Sequence, residues 1–144
     1  MQLRILLLEN DVDLSAILTD ALTEAGHDVV VCHTLSEGID SVSEDVFDLL
    51  LLDVYLDIGT SLGVANYCGF ASPATQIIFM SGNRHSDLAT LHEKCRDAAY
   101  FFRKPVQLSE LLDLIEQISL VQPQARTRLP GYVAPINARQ KRAL

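Results

Sequence analysis

LRILLLEND, residues 3–11, sets five apolar residues in six positions directly before Glu9, Asn10 and Asp11. A strand with one wet face alternates apolar and polar residues. A strand apolar at successive positions is buried on both faces, as in a parallel sheet. Four further runs have the same character: residues 28–33 (DVVVCH), 48–53 (DLLLLD), 76–80 (QIIFM) and 99–102 (AYFF). Between them apolar residues recur at helical spacing, as in Leu14, Ile17, Leu18, Ala21 and Leu22, a series stopped by Gly26. Helices are expected over 12–25, 35–43, 61–70, 85–96 and 107–120. Gly63, Asn66 and Gly69 make 61–70 the weakest of them. Alternating strands and helices predict an α/β fold, a doubly wound five-stranded parallel sheet with five helices.

The chain has 144 residues, the size of one domain. Apolar residues make up 49% and charged residues 21%, an ordinary globular balance. The apolar run at 5–8 is too short for a signal peptide or a membrane span, so a cytoplasmic protein is expected. Cys32, Cys68 and Cys95 show no C-x-x-C spacing and read as reduced, packed thiols. The net charge of −8 is unevenly spread. Residues 1–120 carry 6 basic and 19 acidic side chains, whereas 121–144 carry five basic and no acidic ones. The acidic body excludes nucleic-acid binding through phosphate contacts, which need Lys and Arg. After Leu120 the helical period stops, and the segment with Pro123, Pro130, Pro135 and Gly131 reads as a basic tail, flexible or docked. The organisation is therefore 1–120 as a domain and 121–144 as tail.

Ligands of open parallel sheets bind beyond the carboxyl ends of the strands. Here the strands end in Glu9-Asn10-Asp11, in Asp53, in Ser81-Gly82 and in Arg103-Lys104-Pro105; the second, at His33-Thr34, is uninformative. Each group alone reads as a cap, a turn or a solvated loop residue. Together they suit phosphoryl transfer to a carboxylate. Asp53 at a strand tip is a held nucleophile. The acids at 9–11 would hold Mg²⁺, which takes one or two carboxylates plus phosphate oxygens. Lys104 and the Ser81 hydroxyl would meet phosphoryl oxygens. Gly82 leaves room for the ligand, and Lys104-Pro105 is a candidate cis bond.

Over residues 2–120 the chain resembles a response regulator receiver domain. ILLLEND resembles the acidic first-strand motif and DLLLLDVYL the phosphoacceptor strand. IIFMSG is similar to the switch strand, and YFFRKP to the Lys-Pro motif with its aromatic switch position. The resemblance implies a flavodoxin-like sheet ordered 2-1-3-4-5. It implies Asp53 as phosphoacceptor, Ser81 as switch hydroxyl, Lys104 as phosphate contact and Phe101 as the aromatic that turns inward. The implied metal set is Glu9, Asn10, Asp11, Asp53 and the Tyr55 backbone carbonyl. A histidine kinase or histidine phosphotransfer protein would supply the phosphoryl group. A downstream protein target would read the fourth helix, fifth strand and fifth helix, around Leu88, Leu91, Cys95, Phe102 and Leu111, most of them core; homodimerisation is left open. No turnover on a separate substrate is implied, only self-phosphorylation and slow dephosphorylation.

Three residues depart from the family pattern. Asn10 stands where the main metal-binding acid is usual and brings no charge. In the loop VYLDIGTSLG, residues 54–63, Asp57 stands where Pro is common and the glycine comes late. Tyr55 is bulky where the side chain governs water access, so a long-lived phosphoryl state is expected. The alternative is a degenerate receiver, a phosphorylation-independent binding module, because Asn10 weakens the Mg²⁺ site. An aspartyl-phosphate phosphatase would need a second acid where Tyr55 stands. A flavodoxin would need a hydroxyl- and glycine-rich loop in place of Glu9-Asn10-Asp11. Nucleic-acid binding by the basic tail is a further reading.

Overall fold

Successive apolar residues on a strand point to opposite faces, so each central strand here feeds two cores at once. A computed structural model describes residues 1–83, 87–95 and 100–121. In it five strands, β1 (Arg4–Leu8), β2 (Asp28–Cys32), β3 (Leu49–Asp53), β4 (Gln76–Ser81) and β5 (Tyr100–Arg103), form one sheet. All pairings are parallel and the order is β2-β1-β3-β4-β5. The helices are α1 (Val12–Glu24), α2 (Leu35–Glu44), α3 (Leu62–Ala71), α4 (Leu88–Lys94) and α5 (Leu108–Ser119). The sheet order and the alternation are those expected, with element ends moved by about one residue. The exception is α4, which spans seven residues where 85–96 was expected; His85 and Arg96, like Ala99 and the tail from 122 on, lie outside the described residues.

Leu6, Leu8, Leu50, Leu52, Ile77, Phe79 and Phe101 face one core with Val42 of α2, Val64 and Cys68 of α3 and Leu91 of α4. Ile5, Leu7, Leu49, Leu51, Ile78, Met80 and Phe102 face the other, with Leu18 and Leu22 of α1 and Leu111, Leu114 and Ile115 of α5. Each fully buried leucine contributes about 1.5–3 kcal/mol of transfer free energy, which fixes the strand register against slippage. Leu91, Cys95, Phe102 and Leu111, named above as mostly core, are all buried. Cys32, Cys68 and Cys95 are buried and form no disulfide, and burial pushes the Cys68 thiol up to about 11. No helix among the described residues is long and apolar enough to cross a membrane.

Local chemistry sets the helix starts. Asp11 caps α1, its carboxylate accepting from the Leu14 amide at 3.1 Å. Thr34 caps α2 in a reciprocal box with Glu37. Inside α2, a Cβ on Gly38 would stand 3.0 Å from Leu8 Cδ2, so the absent side chain lets the helix sit close to β1. Despite its three poor helix formers, α3 forms, because Val64, Ala65 and Cys68 are buried against the sheet.

Candidate functional site

The parallel register brings the carboxyl ends of β1, β3, β4 and β5 to one edge of the sheet. Glu9 follows β1, and Asp53 ends β3 opposite Met80. Ser81 ends β4, and its carbonyl accepts from the Lys104 amide at 3.0 Å. The Lys104–Pro105 bond is cis, as the sequence suggested.

Lys104 Nζ donates to Glu9 Oε1 at 2.6 Å and to Asp53 Oδ2 at 3.1 Å. Glu9 is 0% exposed and Asp53 5%, so one ammonium serves two buried carboxylates. Burial pushes Glu9 up to about 7; the Lys104 bond pulls the other way, but the charge of Asp53 adds to the rise. Burial also works against the Lys104 charge, yet its bond to Glu9 and the charge of Asp53 outweigh that. The ammonium therefore titrates above the ordinary lysine range. Glu9 Oε2 is buried without a hydrogen-bond partner. The Glu9 backbone carbonyl meets His33 Nδ1 at 3.0 Å, so the strand end dismissed in the sequence takes part in placing Glu9.

The remaining sequence candidates are placed less uniformly. Asn10 Nδ2 donates to Asp57 Oδ1 at 2.9 Å. Asp11 is spent on the α1 cap and completes no three-acid group with Glu9 and Asp53; among the described residues no such metal-holding group exists. Tyr55 is half exposed, and its backbone pairs with Thr60 across a tight turn. The Ser81 oxygen accepts from the Asn83 amide at 3.0 Å. Phe101 is already inside, 1% exposed, with the Arg103 guanidinium carbon 5.5 Å from its ring centre. At Gly82 a Cβ would meet only Lys104 Cβ at 3.8 Å, so the chain's own packing does not require a glycine there.

The carboxylates of Asp53 and Glu9, the latter with Oε2 buried and without a partner, and the neighbouring Asn10 amide are oxygen ligands of the kind that fit Mg²⁺, which completes its shell with water and phosphate. The same cluster holds the Asp53 carboxylate, at the tip of β3, against the Lys104 ammonium.

The fold agrees with the comparisons. The family model for the response regulator receiver domain matches residues 5–116. The chain belongs to the response regulator receiver domain family. A response regulator receiver protein, CpdR of Brucella abortus, is 30% identical over 115 residues, covering 80% of this chain and 95% of its own. Among solved structures, a CheY-like receiver domain of Methanospirillum hungatei aligns with a TM-score of 0.74 at 22% identity, covering 83% of this chain and 95% of its own. TrrA of Thermotoga maritima, solved with Mg²⁺ and BeF, gives 0.69 at 19% identity over 82% of this chain and 99% of its own. NtrX of Brucella abortus, with a TM-score of 0.69 at 21% identity over 82% of this chain, is much longer; the match spans 27% of it. Those structures show the shared receiver fold. Receiver domains are signalling modules of two-component systems. They interact with histidine kinases and downstream effectors, and generally bind Mg²⁺ for phosphorylation. In this chain Lys104 bonds both Glu9 and Asp53, and the residue after Glu9 is the amide Asn10.

Proposed function

We propose that this chain accepts a phosphoryl group on Asp53 from a histidine kinase or histidine phosphotransfer protein. The observation that carries the reading is the single ammonium of Lys104 shared by Glu9 and Asp53 in a buried cluster. An Asp53 oxygen attacks phosphorus, the donor's P–N bond breaks, and its electron pair stays on the imidazole nitrogen. Lys104, already on Asp53 Oδ2, neutralises charge on the phosphoryl oxygens as they arrive. The Ser81 hydroxyl, on the residue whose carbonyl accepts from the Lys104 amide, would donate to a phosphoryl oxygen. Glu9, Asp53, the Asn10 amide oxygen and the Tyr55 carbonyl are the residues that would hold Mg²⁺. When bound, it offsets repulsion between carboxylate and phosphate.

Residues 1–120 form the receiver unit of this reading and 121–144 its tail, in a cytoplasmic protein that signals through protein contacts of α4, β5 and α5. Capture of phosphate by Ser81 and repacking around Phe101 bias that face toward a downstream target. The second reading, a phosphorylation-independent binding module, is favoured by the uncharged Asn10 alone. Incubation with acetyl phosphate and Mg²⁺, followed by peptide mapping in a mass spectrometer, decides between them. The expected result is one adduct on the peptide containing Asp53, absent in Asp53→Asn. An unmodified chain, or an adduct elsewhere, overturns the first reading.

A further inference from the structure

We infer that Asp57 is a positioning residue for the metal side of the site, holding Asn10 so that its carbonyl oxygen serves as the ligand an acid would have been. The inference rests on the phosphoryl-acceptor reading above. An amide has a donor end and an acceptor end, whereas a carboxylate only accepts. The 2.9 Å contact between Asn10 Nδ2 and Asp57 Oδ1 therefore fixes the rotation of the amide and turns Oδ1 away from Asp57. A carboxylate on the amide nitrogen also draws electron density toward Oδ1, as outer partners do for metal-bound imidazoles. The neutral ligand thus gains orientation and basicity from a charge one bond removed.

Asp57 is itself held in place. Leu56 N–H donates to the Gly59 carbonyl at 3.2 Å, closing a turn in which Gly59 takes φ +80°, a conformation open to glycine. Ser61 N–H donates to the Val54 carbonyl at 3.0 Å, anchoring the far end of the loop to the strand that carries Asp53. Because β1 and β3 are neighbours, the segment after Leu8 and the segment after Asp53 lie side by side. The independent sign that the site awaits a cation is Glu9, fully buried, with Oε2 unpartnered. Among the described residues no third carboxylate joins Glu9 and Asp53 in a metal-holding group, and the contact of Asp57 toward that side is the one to Asn10.

Calorimetric titration of the full chain with Mg²⁺ alone tests this without reference to phosphorylation. Asp57→Ala is expected to weaken Mg²⁺ about tenfold. Asp57→Asn, which can still accept from the Asn10 amide, should fall between it and the wild type. Asp40→Asn removes a charge from the groove that Asp57 also lines, and should change affinity by no more than about twofold. In an Asn10→Asp background the effect of Asp57→Ala should shrink to no more than about twofold, because a carboxylate ligand needs no partner to turn its oxygen to the cation. Wild-type Mg²⁺ binding with an unchanged Asp57→Ala, or an equal loss in Asp40→Asn, overturns the inference and leaves the acceptor reading standing. A wild type without a Mg²⁺ isotherm overturns the inference; if Asp53 is then also unlabelled, the acceptor reading falls with it.

Discussion

Two polar pairs stand beyond the carboxyl ends of β1 and β3, similar in length and opposite in setting. On one side Lys104 meets Glu9 at 2.6 Å, with the carboxylate wholly buried. On the other Asn10 meets Asp57 at 2.9 Å, exposed to solvent. A charge in a buried pair has no water to fall back on, so its loss is felt by the whole fold. An exposed amide–carboxylate bond competes with water and adds little to stability. The lysine side is thus tied to folding, while the amide side can change with consequences confined to ligand affinity.

The comparison breaks first at Lys104. Lys104→Met should destabilise the chain by about 3 kcal/mol at pH 8, leaving two carboxylates buried without a cation. At pH 5 the loss should be smaller, because Glu9 then carries a proton. Denaturant unfolding at both pH values checks this, and equal losses would contradict it. The second expected effect concerns Glu9. Its folded value lies near 7 against an ordinary 4.5, so between those values the folded chain binds more protons than the unfolded one. Its contribution to stability is therefore full below pH 4.5 and lost as pH rises to about 7, a change on the order of 3 kcal/mol. Glu9→Gln should flatten that part of the stability–pH curve.

Smaller effects sharpen the amide side. Asp11→Ala should cost about 1 kcal/mol through loss of the α1 cap, read as a lower melting temperature. Its Mg²⁺ affinity should shift by no more than about twofold, since its carboxylate is turned to Leu14. Asp57→Ala should leave stability within about 0.5 kcal/mol, so that any change in Mg²⁺ binding is separable from folding.

The sheet was legible in the chain because unbroken runs such as Leu49–Leu52 state burial on both faces directly. Asp53, Ser81 and Lys104 were legible because strand ends in a parallel sheet converge. His33 and Asp57 were not read as partners, since their contacts join residues 24 and 47 positions apart across separate loops. Asp11 alone read as a helix cap and, in the joint pattern, as a metal ligand; the direction of its carboxylate, toward the Leu14 amide, separates the two. Nothing in the loop VYLDIGTSLG stated that it would bring Asp57 to Asn10.

The yield of phosphoryl adduct on Asp53 across a Mg²⁺ series, measured in parallel for the wild type and the Asn10→Asp/Asp57→Ala variant, tests the central claim most directly. The expected result is full labelling of both, with the variant reaching it at lower Mg²⁺. A variant that labels beside a wild type that stays unmodified at every Mg²⁺ concentration would contradict the account and make the natural chain a phosphorylation-independent module.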